Sequence, residues 1–387
     1  MLPSLPAVAT PSPAVWSRSN GAVSRAAAEA ANSIAPVDPV VASILAKVRP
    51  YQMTALRISK ERWMHGVRRQ LIVCPTGTGK TVLFSTLAMY YGFSRRILVL
   101  VHRDTLAKQA KDKISKWNPG IEVGIEQGNQ KCKGTERVVV ASVQTIGRPV
   151  KQKVGGKHPK TILLPNDRLK RLNPDDFDCV ICDEAHHSIA ASYRLIYQHF
   201  GFLDEKWQKT EQCPNRLLLG VTATPKRSDG ELLNQVFDRK VYEYYIEDAV
   251  REGWLVNLRC WHITTESNLD NVHRLGDDLK LDELAKAVNN PARNKLIVDE
   301  WERLAADRPT VVFAVDVKHA KDLAKEFKKR KVKVAAVWGN DPEREEKLEK
   351  FDAGKLQVLV NCELLTEGWD WPAPIFRIQI ILSQPQP

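Results

Sequence analysis

The chain has 387 residues, with 58 Lys and Arg against 46 Asp and Glu, a formal net charge of +12 and an isoelectric point near 9.3. Apolar residues make up 43% and charged residues 27%, a balance that allows two or three folded domains with sizeable cores. No apolar run reaches the ~18 residues of a membrane-spanning helix, and seven scattered cysteines argue against a disulfide scaffold, so the expectation is a protein of a reducing compartment, cytoplasmic or nucleoid-associated, with no membrane.

Residues 1–45 are rich in Ala, Pro, Ser and Val. A transit-type leader would fit, but the stretch lacks an amphipathic Arg period and is read as a disordered tail. From about Lys47 short β-rich runs alternate with helical patterns. Strands are expected at Gln70–Cys74, Arg96–Val101, Val138–Ser142, Cys179–Cys182 and Leu217–Val221, with helices such as Lys80–Tyr91 and Thr105–Trp117 between them. Such alternation implies a mostly parallel sheet with helices on both faces. Residues 148–171 break the pattern: eight Lys or Arg face one acid, Asp167, around Gly155-Gly156. They read as an exposed basic loop, either a solubilising insertion or a contact to a phosphate backbone. Cys179 and Cys182 form a CxxC without a second pair, so a buried strand is favoured over a zinc site.

After about Tyr245 a second alternating unit begins. Strands are expected at Leu258–Ile263, Thr310–Ala314, Val332–Val337 and Leu356–Val360, and helices at Pro291–Ala306, Val317–Lys329 and Pro342–Ala353. Ala320, Leu323, Ala324 and Phe327 form one apolar helical face, with lysines outward. The chain thus divides into a tail (1–45), a first α/β domain (46–245) and a second (246–387).

The strongest local signal is Cys74-Pro75-Thr76-Gly77-Thr78-Gly79-Lys80-Thr81, between the apolar run Leu71-Ile72-Val73 and a helical start. That is the context of a phosphate-cradling loop. Gly77 and Gly79 let backbone N–H groups turn towards phosphate oxygens, and the helix N-terminus adds a positive dipole end. Lys80 would neutralise the β and γ phosphates of ATP, and the Thr81 hydroxyl would ligate Mg²⁺. The second signal, Asp183-Glu184-Ala185-His186, directly follows a predicted strand. Asp183 there could hold Mg²⁺, and Glu184 could polarise water as a general base. His186 and His187 could be metal ligands, but coupling of the nucleotide site to the rest of the molecule is the better assignment for His186.

With these two signals in place the chain resembles the superfamily-two DEAD/DEAH-box helicases, in particular the group of type III restriction subunits and DNA repair helicases. Arg49-Pro50-Tyr51-Gln52 resembles the adenine-reading element, with Gln52 as the adenine contact. Val101-His102-Arg103-Asp104-Thr105-Leu106 and Ala141-Ser142-Val143-Gln144-Thr145 resemble segments that touch the nucleic-acid backbone. Thr222-Ala223-Thr224-Pro225 resembles the motif that links hydrolysis to movement. Val311-Val312-Phe313-Ala314 and Leu364-Leu365-Thr366-Glu367-Gly368-Trp369-Asp370 resemble second-lobe motifs, with Gly368 and Asp370 near the nucleotide.

The resemblance implies two tandem RecA-like α/β domains, each with a parallel sheet flanked by helices. It implies an ATP- and magnesium-dependent motor on nucleic acid, DNA in preference to RNA. A protein partner in a restriction or repair complex would fit, since no nuclease constellation is visible. Two departures stand out. Cys74 occupies a position where the generic loop has Gly. No Gln-x-x-Gly-Arg pattern, the source of the family's γ-phosphate arginines, follows Asp370 before Pro387. An arginine of that kind contributes about 10³–10⁵ in rate, so the second domain reads as incomplete and the polypeptide as binding ATP better than it hydrolyses it.

Overall fold

The computed structural model describes residues 39–102, 104–154, 160–210, 215–224, 233–257, 259–261, 263, 272–275, 278–362 and 376–379. The chain divides into two units, residues 1–73 with 80–243 and residues 74–79 with 244–387.

The first unit is built on strands β1 (Arg69–Val73), β2 (Arg96–Val101), β3 (Val123–Glu126), β4 (Val138–Ser142), β5 (Val150–Val154), β6 (Lys160–Leu164), β7 (Phe177–Asp183), β8 (Leu217–Thr222) and β9 (Arg239–Glu243). Seven of them form one sheet in the order β3-β4-β2-β7-β8-β1-β9, and every neighbouring pair is parallel. The inner strands are near-continuous Val, Ile and Leu runs, and β1, β4 and β8 are buried along their whole length. That is the signature of a parallel sheet covered on both faces. Leu71, Leu98, Val180 and Leu218 share one cluster with Tyr193, Tyr197, Phe200 and Phe202. The alternating Ile72, Val99 and Ile181, also buried, therefore face the opposite side. Arg69 fastens β1 to the approach to β9: its Nε lies 3.0 Å from Asp238 Oδ1, and its Nη1 donates to Phe202 O at 2.8 Å.

Register aligns the carboxyl ends of the central strands. Val73 pairs with Thr222, Asp183 with Val221, and Leu100 with Cys182. Whatever follows β1, β2, β7 and β8 thus emerges along one edge, which is where open parallel sheets bind ligands.

Residues 148–171 differ from the loop expected of them. β5 and β6 pair antiparallel as a ribbon, from Val150 opposite Leu164 to Val154 opposite Lys160, and a short helix follows at Asp167–Lys170. Gly155-Gly156, read as loop composition, lie outside the described residues.

The second unit contains the two-residue strands β10 (Arg274–Leu275) and β11 (Asp278–Leu279), then β12 (Thr310–Ala314), β13 (Val334–Trp338), β14 (Val358–Cys362) and β15 (Phe376–Gln379). The last four form a parallel sheet in the order β13-β14-β12-β15. Asp316 caps helix Val317–Lys329 by accepting from His319 N at 2.6 Å, and Asn290 caps helix Pro291–Ala305 by accepting from Arg293 N at 2.9 Å. The two helices meet through Trp301 and Phe327, whose rings pack edge to face at 5.2 Å. Ala320, Leu323, Ala324 and Phe327 are buried, as the helical period requires.

The architecture of parallel α/β sheets is therefore the expected one. Other local assignments differ as well, and β3 and β9 were not marked as strands by the sequence pattern. Pro39–Leu45, taken as tail, are helical. Within the strand expected at 258–263, residues 259–261 and 263 belong to no strand. Helices Pro50–Met64 and Ala191–His199 were not marked by the sequence pattern. No described helix is long and apolar enough to cross a membrane. Cys179 and Cys182 are buried in β7 three residues apart. They consequently point to opposite faces of the sheet, and no zinc site can form from them.

Candidate nucleotide site at the carboxyl edge of the first sheet

The chain leaves β1 through a tight turn. Thr78 N and Thr78 Oγ1 both donate to Pro75 O, at 3.4 and 2.6 Å, which buries Thr78 and leaves Thr76 and Gly77 exposed. Gly77 and Gly79 sit at φ values of 85° and 77°, a region that costs a side chain about 1–2 kcal/mol and glycine almost nothing. Both glycines of the motif are thus required by backbone shape. Helix Lys80–Tyr91 begins immediately after, so Lys80 and Thr81 occupy its first turn, where backbone N–H groups have no partner within the helix.

Two strands away, Asp183 closes β7 and Glu184 turns the chain. Glu184 has φ 51° and ψ 53°, a left-handed conformation that is strained for a non-glycine residue. Such strain is retained where the surrounding structure fixes the side chain. Here Glu184 Oε1 lies 3.8 Å from Lys80 Nζ, its Oε2 lies 3.5 Å from His186 Nδ1, and its N–H donates to Asp183 Oδ1 at 3.1 Å. Burial, reinforced by the neighbouring Glu184 charge, pushes the Asp183 carboxyl up to about 6, although Lys80 acts in the opposite direction. Two adjacent carboxylates, one of them 3.8 Å from the Lys80 ammonium, form a site that a divalent cation would relieve, because added positive charge favours both ionised forms.

His186 bridges this edge to β8. Its Nδ1 lies 3.1 Å from Thr222 Oγ1, which also accepts from Thr224 N at 3.3 Å. The His187 ring lies 4.1 Å from that of His186, tilted by 45°. It stacks on His102, which follows β2, at 4.0 Å with a 14° interplanar angle, and His102 Nδ1 lies 3.2 Å from Tyr193 OH. This ring stack joins the segment after β2 to the segment after β7, and sequence reasoning missed it. No periodicity signals it: the contact exists only because β2 and β7 are neighbours in the sheet. Behind the turn, Ser188 Oγ lies 2.8 Å from Tyr197 OH and 3.5 Å from Cys182 Sγ, and burial holds the Cys182 thiol at about 12. That buried thiol is packing, not chemistry.

The structure therefore brings together Lys80, Asp183, Glu184 and His186, with Thr81 next to Lys80. Gln52 is buried at the start of helix Pro50–Met64, and its Oε1 accepts from Arg49 N at 3.0 Å; the Arg49 guanidinium donates to Tyr51 OH at 3.1 Å. Gln52 thus caps its own helix. Gly368 and Asp370, like Arg103 and Pro225, lie outside the described residues. Among the described residues no group of three or more His, Cys, Asp or Glu is arranged to hold a metal ion by itself. The arrangement suits a cation held jointly by protein and phosphate oxygens, as magnesium is in nucleotide sites.

The family described as type III restriction enzyme, res subunit, matches residues 45–227. A Schizosaccharomyces pombe protein named for a mitochondrial ATP-dependent helicase, irc3, is 33% identical over 336 residues, covering 84% of this chain and 51% of that protein. A Saccharomyces cerevisiae protein named for an ATP-dependent helicase, IRC3, is 31% identical over 340 residues, 84% of this chain and 45% of its own length. The chain thus spans about half the length of these relatives. Among solved structures, a fragment of an HsdR-type subunit of a type I restriction enzyme from Vibrio vulnificus superposes with a TM-score of 0.59 at 21% identity, covering 90% of this chain and 60% of that one.

Proposed function

Because this chain belongs to the superfamily-two DEAD/DEAH-like helicases, we propose that it is an ATP-driven motor that moves along nucleic acid, DNA in preference to RNA. The observation that carries the reading is the 3.8 Å approach of Lys80 Nζ to Glu184 Oε1 across the carboxyl edge of the sheet. It joins the helix start after the Gly77–Gly79 turn to the carboxylates after β7, which is the donor set that Mg·ATP needs.

Bound Mg·ATP would supply the phosphoanhydride to be cleaved and a Lewis acid on its oxygens. The chain's own residues do the rest. The turn closed by Thr78 on Pro75 would present the backbone N–H groups of Thr76, Gly77 and Gly79 to phosphate, and Lys80 would neutralise its charge. Thr81 and Asp183 would hold the cation. Glu184, fixed by its backbone and by Lys80 and His186, takes a proton from the attacking water. His186 passes a change at Glu184 to Thr222 and the Thr222–Thr224 turn. Arg49 and Gln52 would receive the adenine; Gly368 and Asp370, which lie outside the described residues, are part of the proposed nucleotide-binding set. DNA is favoured because the matching family is that of a restriction-enzyme subunit, and the same match makes a partner in a restriction or repair complex part of the proposal.

The direct test is ATP hydrolysis by the full chain with no nucleic acid, single-stranded DNA, duplex DNA or RNA. Turnover stimulated by DNA above RNA is expected. Tight ATP binding with no turnover on any strand would replace the motor with an ATP- and nucleic-acid-binding module.

A further inference from the structure

The β5–β6 ribbon has no role in nucleotide chemistry, yet it is built as two chemically distinct faces. Cross-strand partners in an antiparallel pair share a face. Lys151 is opposite Leu163 and Lys153 opposite Thr161, whereas Val150, Gln152 and Val154 are opposite Leu164, Ile162 and Lys160. The two faces therefore alternate along β5: Lys151 and Lys153 share one with Leu163 and Thr161, and Val150, Gln152 and Val154 share the other with Leu164, Ile162 and the register position of Lys160. All of β5 is exposed, with Val150 at 50%, Val154 at 48% and Ile162 at 39%. An isolated two-stranded ribbon is at best marginally stable in water, and exposed valines on a solvent-facing strand are not what a solubilising insertion needs.

The root of the ribbon is fixed. Asn166 Nδ2 donates to Thr145 O, Ile146 O and Arg148 O at 3.0, 3.2 and 2.9 Å, while its Oδ1 accepts from Leu169 N at 2.9 Å. One side chain thus clamps both ends of the ribbon to the segment directly after β4 and caps the next helix. The one carboxylate of the segment, Asp167, pairs with Lys170 at 3.5 Å. Arg148, Lys151 and Lys153 are left with no counter-charge of their own segment.

We infer that the β5–β6 ribbon is a duplex-binding arm, its Lys151/Lys153 face contacting the phosphodiester backbone of double-stranded DNA. A two-stranded β-ribbon fits the ~12 Å major groove of B-form DNA. Its apolar face can rest on thymine methyl groups and sugars, and its lysines neutralise phosphates without reading sequence. The inference rests on the nucleic-acid reading above and extends it from a strand-tracking motor to one that grips duplex through an arm rooted beside the Ser142–Thr145 segment.

The test is equilibrium binding of the full chain, without ATP, to fluorescently labelled duplex and single-stranded DNA between about 50 and 200 mM salt, the range over which phosphate contacts are lost steeply. Each phosphate contact contributes about 0.9 to the slope of log K against log salt for B-form DNA. K151Q/K153Q should lower the duplex slope by about two and leave the single-strand slope unchanged. Val150→Ser with Val154→Ser should weaken duplex binding without altering the slope, because an apolar contact releases no counterion. K325Q/K329Q, which removes two lysines already paired with Asp322 and Glu326, is the charge-matched control and should leave the slope unchanged. An unaltered duplex slope in K151Q/K153Q, or an equal fall in the control, overturns the inference. An equal fall on single strands assigns the ribbon to the single-strand track and overturns the duplex assignment. None of these readings uses turnover, so a failed ATPase test would count against the motor alone.

Discussion

Replacing Glu184 by Gln should lower ATP turnover by about 10²–10⁴, the usual contribution of a positioned general base, and leave ATP affinity within a few-fold of the parent. The substitution is close to isosteric. It keeps the backbone N–H that donates to Asp183 Oδ1, and it places another non-glycine residue in the left-handed turn, so the local fold is retained. What it removes is the basicity of the carboxylate that faces Lys80 and His186. It also removes the charge that helps to raise Asp183, so cation binding at Asp183 should survive. Single-turnover hydrolysis measured beside equilibrium nucleotide binding separates the two quantities. Turnover that stays within threefold of the parent would move the base to another residue.

Replacing Lys80 by Ala should have the complementary signature, loss of binding together with turnover. A hydrogen bond to a charged group contributes about 1.5–3 kcal/mol net, so ATP affinity should fall by about 10- to 150-fold. The loss falls on the phosphates, so affinity for adenosine should change little. Lys80 is nearly buried beside Glu184, and its removal leaves that carboxylate without its ammonium partner, a further cost to the empty site. Titration of a fluorescent ATP analogue against K80A and the parent reads the effect. Equal affinities would detach Lys80 from the phosphate-binding role.

Where the chain makes long β-branched runs or carries a clear cap, sequence and structure coincide. Arg96–Val101, Val138–Ser142 and Thr310–Ala314 are strands with the expected ends, because each is a short apolar run buried along nearly its whole length. Val317–Lys329 has its expected ends as well, since Asp316 supplies the N-cap and the apolar period is unbroken. β9 and the β5–β6 ribbon were hidden for the opposite reason. Arg239–Glu243 and Val150–Val154 carry charged residues at strand positions, and propensity alone reads such segments as loop. Pairing across the sheet, which propensity does not see, decided them.

In the site, the order of motifs along the chain suggested that Lys80, Asp183 and Glu184 share one place. The left-handed backbone of Glu184, the bond from His186 to Thr222 and the His102–His187 stack could not be read there, because each depends on strand order and register. Gln52 carries a bond that the motif did not announce: its oxygen accepts from Arg49 N at the helix start.

Metal-centred cleavage tests most directly whether one Mg·nucleotide is held from both sides. Fe²⁺ is substituted for Mg²⁺ in the presence of ATP, and ascorbate with peroxide generates hydroxyl radicals that cut backbone close to the ion. Fragments mapped by mass should end in two clusters, one within residues 76–81 and one around 183–184, and both should vanish when excess Mg²⁺ is added. Cuts confined to one of these segments, or cuts at both that persist in K80A without nucleotide, would contradict a shared site.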